Sequence, residues 1–282
     1  MENNNKLFAM TVDVEDYFHV SAFESVISPN DWDSLALRVG DNTHRLIDIF
    51  NENNVKSTFF TLGWVAERCP ELIKRIVNEG HELASHGSNH RRNTALSKNE
   101  VKEDILKSKH VLEDISGISV DGYRAPSFSI DESNEYVFDL LVEMGFKYSS
   151  STYPITHDLY GVPSWPRFVH KRKEGIVEIP VSTLLQKGKN KGIGGGGYFR
   201  LYPYWLSKRR IESYIRQVNA PYNFYFHPWE IDVNQPRVEQ ASFKSKLRHY
   251  VNLHAMEKKL DMLFKDYAWS TMSEVYKDAI QG

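Results

Sequence analysis

Apolar and polar residues follow two alternating patterns along this chain. Short apolar or β-branched runs predict strands at 7–12, 55–62, 81–84, 120–123, 146–149, 177–181 and 223–226. Longer segments with an apolar residue every three or four positions predict helices at 42–53, 65–78, 97–117, 131–145, 205–218 and 243–267. Strands that alternate with helices over short connections indicate parallel β/α units, closed as a barrel or opened as a doubly wound sheet.

Residues capable of chemistry fall where several of these predicted strands end. They are Asp13, His86, Arg124 and His227. The carboxyl ends of the strands of a parallel barrel meet at one mouth, so this distribution favours a barrel over an open sheet.

The first predicted strand runs into three closely spaced acids, Asp13, Glu15 and Asp16. Carboxylates this close repel one another and need a metal, an arginine or shared protons to be stable. On this stretch alone, a solvated turn with an Asx cap is the competing interpretation.

His86 and His90 are four residues apart directly after a predicted strand. On a helical turn this spacing places both imidazoles on one face, where they can share a metal. A surface feature or a capped turn is the alternative for an isolated pair of this kind, but the position at the end of a strand favours chemistry.

Together these residues suggest a hydrolytic site. Two histidines and one carboxylate with open positions form a zinc or iron site. A second carboxylate would accept a proton from water, and a histidine such as His227 would donate one to the leaving group. Arg124 would orient the carboxylate that acts as the base.

Two further segments have predicted roles. The glycine-dense stretch 192–197 does not open a helix after a strand in the manner of a nucleotide cradle, so it indicates a mobile loop beside a long substrate or a plain connection. The apolar stripe within 243–267 predicts packing on the main domain. We therefore expect a principal domain over 1–235 and a helical extension, packed on it, over 236–282.

Composition restricts the function classes. A net charge of −2 with scattered basic residues argues against nucleic-acid binding. The single cysteine, Cys69, excludes an internal disulfide and permits a reducing compartment. The polar start of the chain and the short apolar run after it predict a cytoplasmic protein with no signal peptide and no membrane span.

Four segments carry a resemblance to a known family: 11–16 (TVDVED), 85–90 (SHGSNH), 122–128 (GYRAPSF) and 226–228 (FHP). With them, the chain resembles the carbohydrate esterase family 4 polysaccharide deacetylases, which share the NodB homology domain. Its beginning, its glycine-dense segment and its end are similar to the branch associated with exosortase and exopolysaccharide gene clusters. The resemblance implies an α/β fold, a deformed (β/α)7 barrel with a C-terminal helical extension, and removal of N-acetyl groups from polymeric amino sugars.

Carried over by position, the resemblance implies a role for each matching residue. Asp13 would be the general base, Arg124 its tether and His227 the general acid. His86 and His90 would be metal ligands, and the backbone N–H of Ser127 would stabilise the oxyanion.

In two places the sequence departs from the family pattern. Val14 replaces the usual second aspartate, so the third metal ligand is Glu15 or Asp16. We favour Glu15, because residues 13 and 15 point to the same side of a continuing strand. The family's fourth motif is poorly matched around 148–150, which leaves the partner of His227 unassigned.

We therefore expect a hydrolase that depends on a divalent metal, with zinc as the first candidate. It would deacetylate N-acetylhexosamine units of a surface polysaccharide, an exopolysaccharide or its precursor, with Phe226 and Trp229 lining the acetyl pocket. Two alternatives are hydrolysis of a small cyclic amide or imide, as in relatives of this fold, and a catalytically silent carbohydrate-binding protein, which the 13% aromatic content would suit.

Overall fold

A curled sheet of mostly parallel strands forms the centre of the molecule. The computed structural model describes residues 7–158 and 160–282. The strands are β1 Leu7–Val14, β2 Thr58–Thr61, β3 Glu82–Ser85, β4 Gly122–Tyr123, β5 Tyr148–Ser149, β6 His170–Lys171, β7 Val177–Glu178, β8 Thr183–Gln186, β9 Lys189–Gly192, β10 Asn223–Phe226 and β11 Ala268–Ser270. The main sheet has the order β10-β1-β2-β3-β4-β5-β7-β6, with β11 also paired to β1, and only β6 runs antiparallel to its neighbour. This architecture is the expected deformed, incompletely closed (β/α)7 barrel.

The helices follow the predicted alternation. They are α1 Val39–Glu52, α2 Gly63–Arg68, α3 Pro70–Asn78, α4 Lys98–Ser116, α5 Tyr136–Glu143, α6 Gly196–Leu201, α7 Tyr204–Gln217, α8 Phe243–Tyr250, α9 Met256–Asp266, α10 Met272–Val275 and α11 Lys277–Gln281. Across the described part of the chain, every helix lacks the combination of length and apolar character that crossing a membrane requires.

Three predicted helices differ from the observed ones for local reasons. The helix expected over 65–78 is split before α3, because Pro70 has no N–H to continue the hydrogen-bond ladder. The helix expected over 243–267 is interrupted by Asn252, whose φ of 53° is left-handed. The helix expected from Asp131 begins at Tyr136, because the Asp131 carboxylate instead accepts the Ser133 N–H in a turn.

Side chains of β1 alternate between two environments. Phe8, Met10, Val12 and Val14 belong to the large core between the sheet and the helices. Ala9, Thr11 and Asp13 point to the other side, towards the interior of the barrel. This alternation places an apolar residue low in the barrel and a carboxylate at its mouth.

The C-terminal segment packs against the lower end of the barrel interior. Met272 and Tyr276 join a small buried cluster with Ala9, Phe60 and Tyr148. The backbone N–H of Met272 also donates to Thr58 Oγ1 at 2.7 Å. The lower end of the interior is thus filled with side chains, and polar groups gather at the upper end.

Candidate active site

Asp13 and Arg124 form a buried ion pair at the mouth of the barrel. Arg124 Nη1 donates to Asp13 Oδ1 at 2.5 Å, and both side chains are almost completely buried. Three further guanidinium N–H groups bond Thr11 Oγ1 at 2.9 Å and Ser150 through its carbonyl and hydroxyl oxygens at 3.1 and 3.0 Å. A buried arginine is tolerated only when its donors are paired in this way, so Arg124 holds the Asp13 carboxylate in one orientation.

Glu15, His86 and His90 form a group that could hold a metal ion. One ligand atom from each lies within 4.8 Å of the other two. His86 Nδ1 donates to the carbonyl oxygen of Arg124 at 2.8 Å, which leaves the Nε2 lone pair available for a metal. Burial lowers the pKa of His86 to about 4, so this imidazole is neutral, as a ligand must be.

The segment that carries the two histidines is a loop, which corrects the helical turn considered from their spacing. Gly87 and His90 have φ values of 75° and 49°, both left-handed. His90 therefore approaches the group through a bent backbone, and its ring centroid lies 5.5 Å from that of His86.

Glu15 contacts two histidines through its two oxygens. Its Oε2 lies 3.0 Å from His90 Nε2, and its Oε1 lies 2.9 Å from His227 Nε2. Burial alone would raise the pKa of Glu15, but these imidazoles hold the pKa well below its usual value. Glu15 is therefore an anionic side chain at the centre of the site.

Asp16 does not belong to this group, so its inclusion among the predicted metal ligands is wrong. Its carboxylate accepts the backbone N–H groups of Tyr17, Arg38 and Val39 at 2.8, 2.6 and 2.7 Å. Two of these donors lie at the beginning of α1, so Asp16 fixes a helix terminus and turns away from the histidines.

His227 has a carboxylate partner that the sequence analysis did not assign. His227 Nδ1 lies 2.9 Å from Glu230 Oε1, and Glu230 Oε2 accepts from Arg200 Nε at 2.6 Å. Burial would lower the pKa of His227, but Glu15 and Glu230 raise it to about 10. The poorly matched segment around 148–150 has a different role, since Ser150 binds Arg124.

Phe226 is a core residue, which corrects its predicted place in the acetyl pocket. It is fully buried and packs edge-on against Phe50 on the helix side of the sheet. Tyr225 instead lines the cleft together with His227, because alternate residues of an extended segment point to the same side. Because side chains alternate in direction along an extended segment, counting back two residues from His227 would have identified Tyr225 as the cleft residue. Trp229 does line the cleft, and its ring stacks on His227 with centroids 5.1 Å apart.

Ser127 lies in the cleft wall in an unusual backbone conformation. Its φ is 54° and that of Phe128 is 49°, and its hydroxyl is 2.6 Å from that of Ser21. Two consecutive left-handed residues without glycine cost energy and occur where surrounding structure enforces them, often at functional sites.

The glycine-dense segment, considered from the sequence as a mobile loop or a plain connection, borders the cleft and is packed against β10 and Glu230. β9 ends at Gly192, and α6 begins at Gly196. A Cβ atom on Gly194 or Gly195 would press on the Asn223 carbonyl or the Tyr225 ring, and one on Gly196 would overlap the Glu230 carboxylate. Glycine is therefore required here for close approach.

An open cleft of about 1010 Å³ exposes the site. Asp13, Glu15, His86, His90 and Ser127 line one part of it. A second part comes from the segment 20–25, and a third comes from the second half of the chain and includes Tyr160, Tyr198, Tyr225, His227, Trp229, Lys244, Leu247 and Arg248. Its volume and its mixture of aromatic and charged side chains suit a polar ligand.

Comparisons with known proteins divide the chain into two adjoining matches. Residues 31–149 match the polysaccharide deacetylase family model, and residues 150–277 match a domain of unknown function, DUF3473. The second match includes Arg200, His227 and Glu230. It also includes helix α8.

Curated relatives of this chain are also deacetylases by name. A peptidoglycan-N-acetylglucosamine deacetylase from Bacillus cereus is 34% identical over 32% of this chain and 33% of its own length. A peptidoglycan deacetylase from Helicobacter pylori is 33% identical over 38% and 36%. The chain thus spans about a third of the length of these curated relatives.

The fold similarity extends further than these sequence matches. A Mycobacterium smegmatis structure assigned as a polysaccharide deacetylase superposes with a TM-score of 0.64 at 20% identity, covering 99% of this chain and 92% of that one. The family-model match and the relatives therefore place residues 31–149 in the polysaccharide deacetylase family, and the chain as a whole shares the fold of the Mycobacterium smegmatis structure.

Proposed function

We propose that this protein removes N-acetyl groups from N-acetylhexosamine units of a surface polysaccharide, an exopolysaccharide or its precursor. The observation that carries the proposal is the convergence of Glu15, His86 and His90 beside Asp13 and His227 in one open cleft. The names of the Bacillus cereus and Helicobacter pylori relatives agree with an amino-sugar polymer as the substrate.

Glu15, His86 and His90 would hold a divalent cation, with zinc as the first choice. One carboxylate and two imidazoles are the donor set of many catalytic zinc sites. The hydrogen bond from His86 Nδ1 to a backbone carbonyl is the kind of support that orients metal-binding histidines. When bound, the cation would polarise the acetamide carbonyl and make water more acidic.

The chain's own side chains would move the protons of the reaction. Asp13, held by Arg124, accepts a proton from the attacking water, and the backbone N–H of Ser127 stabilises the oxyanion. His227 donates its Nε2 proton to the amine nitrogen as the C–N bond breaks. Water is consumed, and acetate and a free amino sugar are released.

Acetate release from a substrate panel tests the proposal. The panel includes N-acetylglucosamine oligomers of two to six units, peptidoglycan, an N-acetylated exopolysaccharide and small cyclic amides and imides. We expect acetate from the amino-sugar polymers, loss of activity with chelator and recovery with zinc. Turnover of the cyclic compounds alone would support the second enzymatic alternative. Glycan binding without acetate at any metal loading would support the silent binding protein.

A further inference from the structure

Arg200 connects the acid side of the site to a helix that forms one wall of the cleft. We propose that Arg200 is a positioning residue that couples helix α8 to His227 through Glu230, so that long substrates which contact α8 are turned over faster than short ones. The inference rests on the proposed function, in which His227 is the proton donor.

One face of Arg200 binds Glu230, and the other binds the end of α8. Arg200 is almost completely buried, and its Nε donates to Glu230 Oε2 at 2.6 Å. Its Nη1 donates to the carbonyl oxygens of His249 and Val251 at 2.7 and 2.8 Å, and Nη2 to that of Arg248 at 3.1 Å. Carbonyls at a helix C-terminus lack partners within the helix, so Arg200 supplies them.

Glu230 transmits this arrangement to His227. Its Oε1 accepts both the backbone N–H of His227, at 3.1 Å, and the ring Nδ1–H, at 2.9 Å. Its Oε2 is held by Arg200, so the carboxylate cannot rotate without losing one of these bonds. A fixed Nδ1 fixes the plane of the imidazole and hence the direction in which Nε2 points.

A stack of rings forms a second connection between the same two elements. Trp229 lies nearly parallel to His227 at 5.1 Å and to His249 at 4.1 Å, with interplanar angles of 18° and 17°. His249 is in turn held by Gln235, whose Oε1 is 2.5 Å from His249 Nε2. A shift of the last turn of α8 would therefore displace both the stack and the Arg200 contacts.

The exposed side of α8 faces the cleft. Lys244, Leu247 and Arg248 line it, and Leu247 is 55% exposed. A sugar chain that lies across these residues would immobilise the helix end and, through Arg200, the imidazole. Contacts remote from the reacting bond would then raise the turnover rate, which is how an enzyme uses the binding energy of a long substrate.

Steady-state kinetics with short and long substrates test the coupling. The wild type should turn over an N-acetylglucosamine hexamer with a higher kcat than the dimer. In Arg200→Ala, we expect kcat on the hexamer to fall by about 10- to 100-fold, by analogy with the loss of a hydrogen-bond partner that orients a metal-binding histidine. The ratio of the two kcat values should approach one, and added guanidinium should partly restore turnover of the hexamer. Arg172→Ala, which removes a paired arginine outside the cleft, should change none of these quantities.

Hydrogen exchange of residues 243–251 gives a readout that does not depend on activity. Glu230→Gln keeps the size of the side chain but weakens its hold on Arg200, so exchange at the end of α8 should increase. Arg200→Lys retains the charge but has only three N–H donors for the Glu230 carboxylate and the three carbonyls that Arg200 bonds, so it should show the same increase. An equal loss of kcat on both substrates, no rescue by guanidinium and unchanged exchange in Glu230→Gln would overturn the coupling. A wild type that releases no acetate would defeat the proposed function, while the exchange result would still decide whether α8 and Glu230 are coupled.

Discussion

His86 and Arg124 are joined by a hydrogen bond of 2.8 Å, in which the ring Nδ1 donates to the backbone carbonyl oxygen. The guanidinium of the same arginine holds Asp13 at 2.5 Å. One residue therefore positions a candidate metal ligand with its main chain and the candidate base with its side chain. Both bonds are buried, so one residue, through its main chain and its side chain together, links the candidate ligand to the candidate base.

Asp13 is expected to be needed for proton transfer and not for metal binding. In Asp13→Asn, the side-chain amide still accepts a hydrogen bond from Arg124 but is not basic. The value of kcat should therefore fall by about 10²- to 10⁴-fold. Calorimetric titration with zinc should give an affinity close to that of the wild type. Unchanged acetate release from this variant would remove Asp13 from the mechanism.

Glu15 and Asp16 are adjacent acids with different expected roles, which a pair of variants can separate. Glu15→Gln removes the anionic ligand and should lower zinc affinity by at least about 10-fold. Asp16→Ala removes the acceptor of three backbone N–H groups and should lower the free energy of unfolding by about 1 to 3 kcal/mol.

The folded fraction of Asp16→Ala should bind zinc as tightly as the wild type does. Zinc titration combined with urea unfolding measures both quantities in each variant. The assignment of the ligand would be reversed if Asp16→Ala lost the metal and Glu15→Gln kept it.

Gly196 and Gly197 are consecutive glycines that differ in what surrounds them. A methyl group on Gly196 would overlap the Glu230 carboxylate, whereas nothing lies within 4 Å of the corresponding position on Gly197. Gly196→Ala should therefore displace Glu230 and reduce kcat by about 10-fold or more, consistent with loss of support for a catalytic group. Gly197→Ala should be at least as stable as the wild type, because alanine favours helix by about 1 kcal/mol. Thermal unfolding and acetate release distinguish the two, and equal effects would contradict this account.

His81 should make the fold sensitive to acid. It is buried, its Nδ1 accepts the Ser57 N–H at 3.2 Å, and burial lowers its pKa to about 4. The unfolded chain takes up a proton near pH 6.5 and the folded chain only near pH 4, so stability is complete above about pH 6.5 and declines as the pH falls through this window.

The difference between these two pKa values of His81 limits the loss of stability to about 3 kcal/mol. Urea unfolding of the wild type and of His81→Gln between pH 7 and pH 4 measures it, and His81→Gln should show a shallower decline. Parallel pH profiles for the two proteins would show that another group is responsible.

Local sequence encodes the alternation of strands and helices and most of the polar residues at the strand ends. Asp13, His86, Arg124 and His227 follow predicted strands, because hydrophobic period and turn chemistry are properties of neighbouring residues. The structure brings these four to one cleft wall or into direct contact with it.

Tertiary structure decided the features that depend on residues far apart in the chain. Asp16 packs against the start of α1, and Glu15 is therefore the acid that faces the histidines. Local sequence does not decide between these two acids. The pairing of Arg200 with Glu230 joins positions 30 residues apart, and no local pattern encodes it. Periodicity reports which face of an element is buried, whereas the partner of a buried charge is set only when distant segments meet and must satisfy one another in the absence of water.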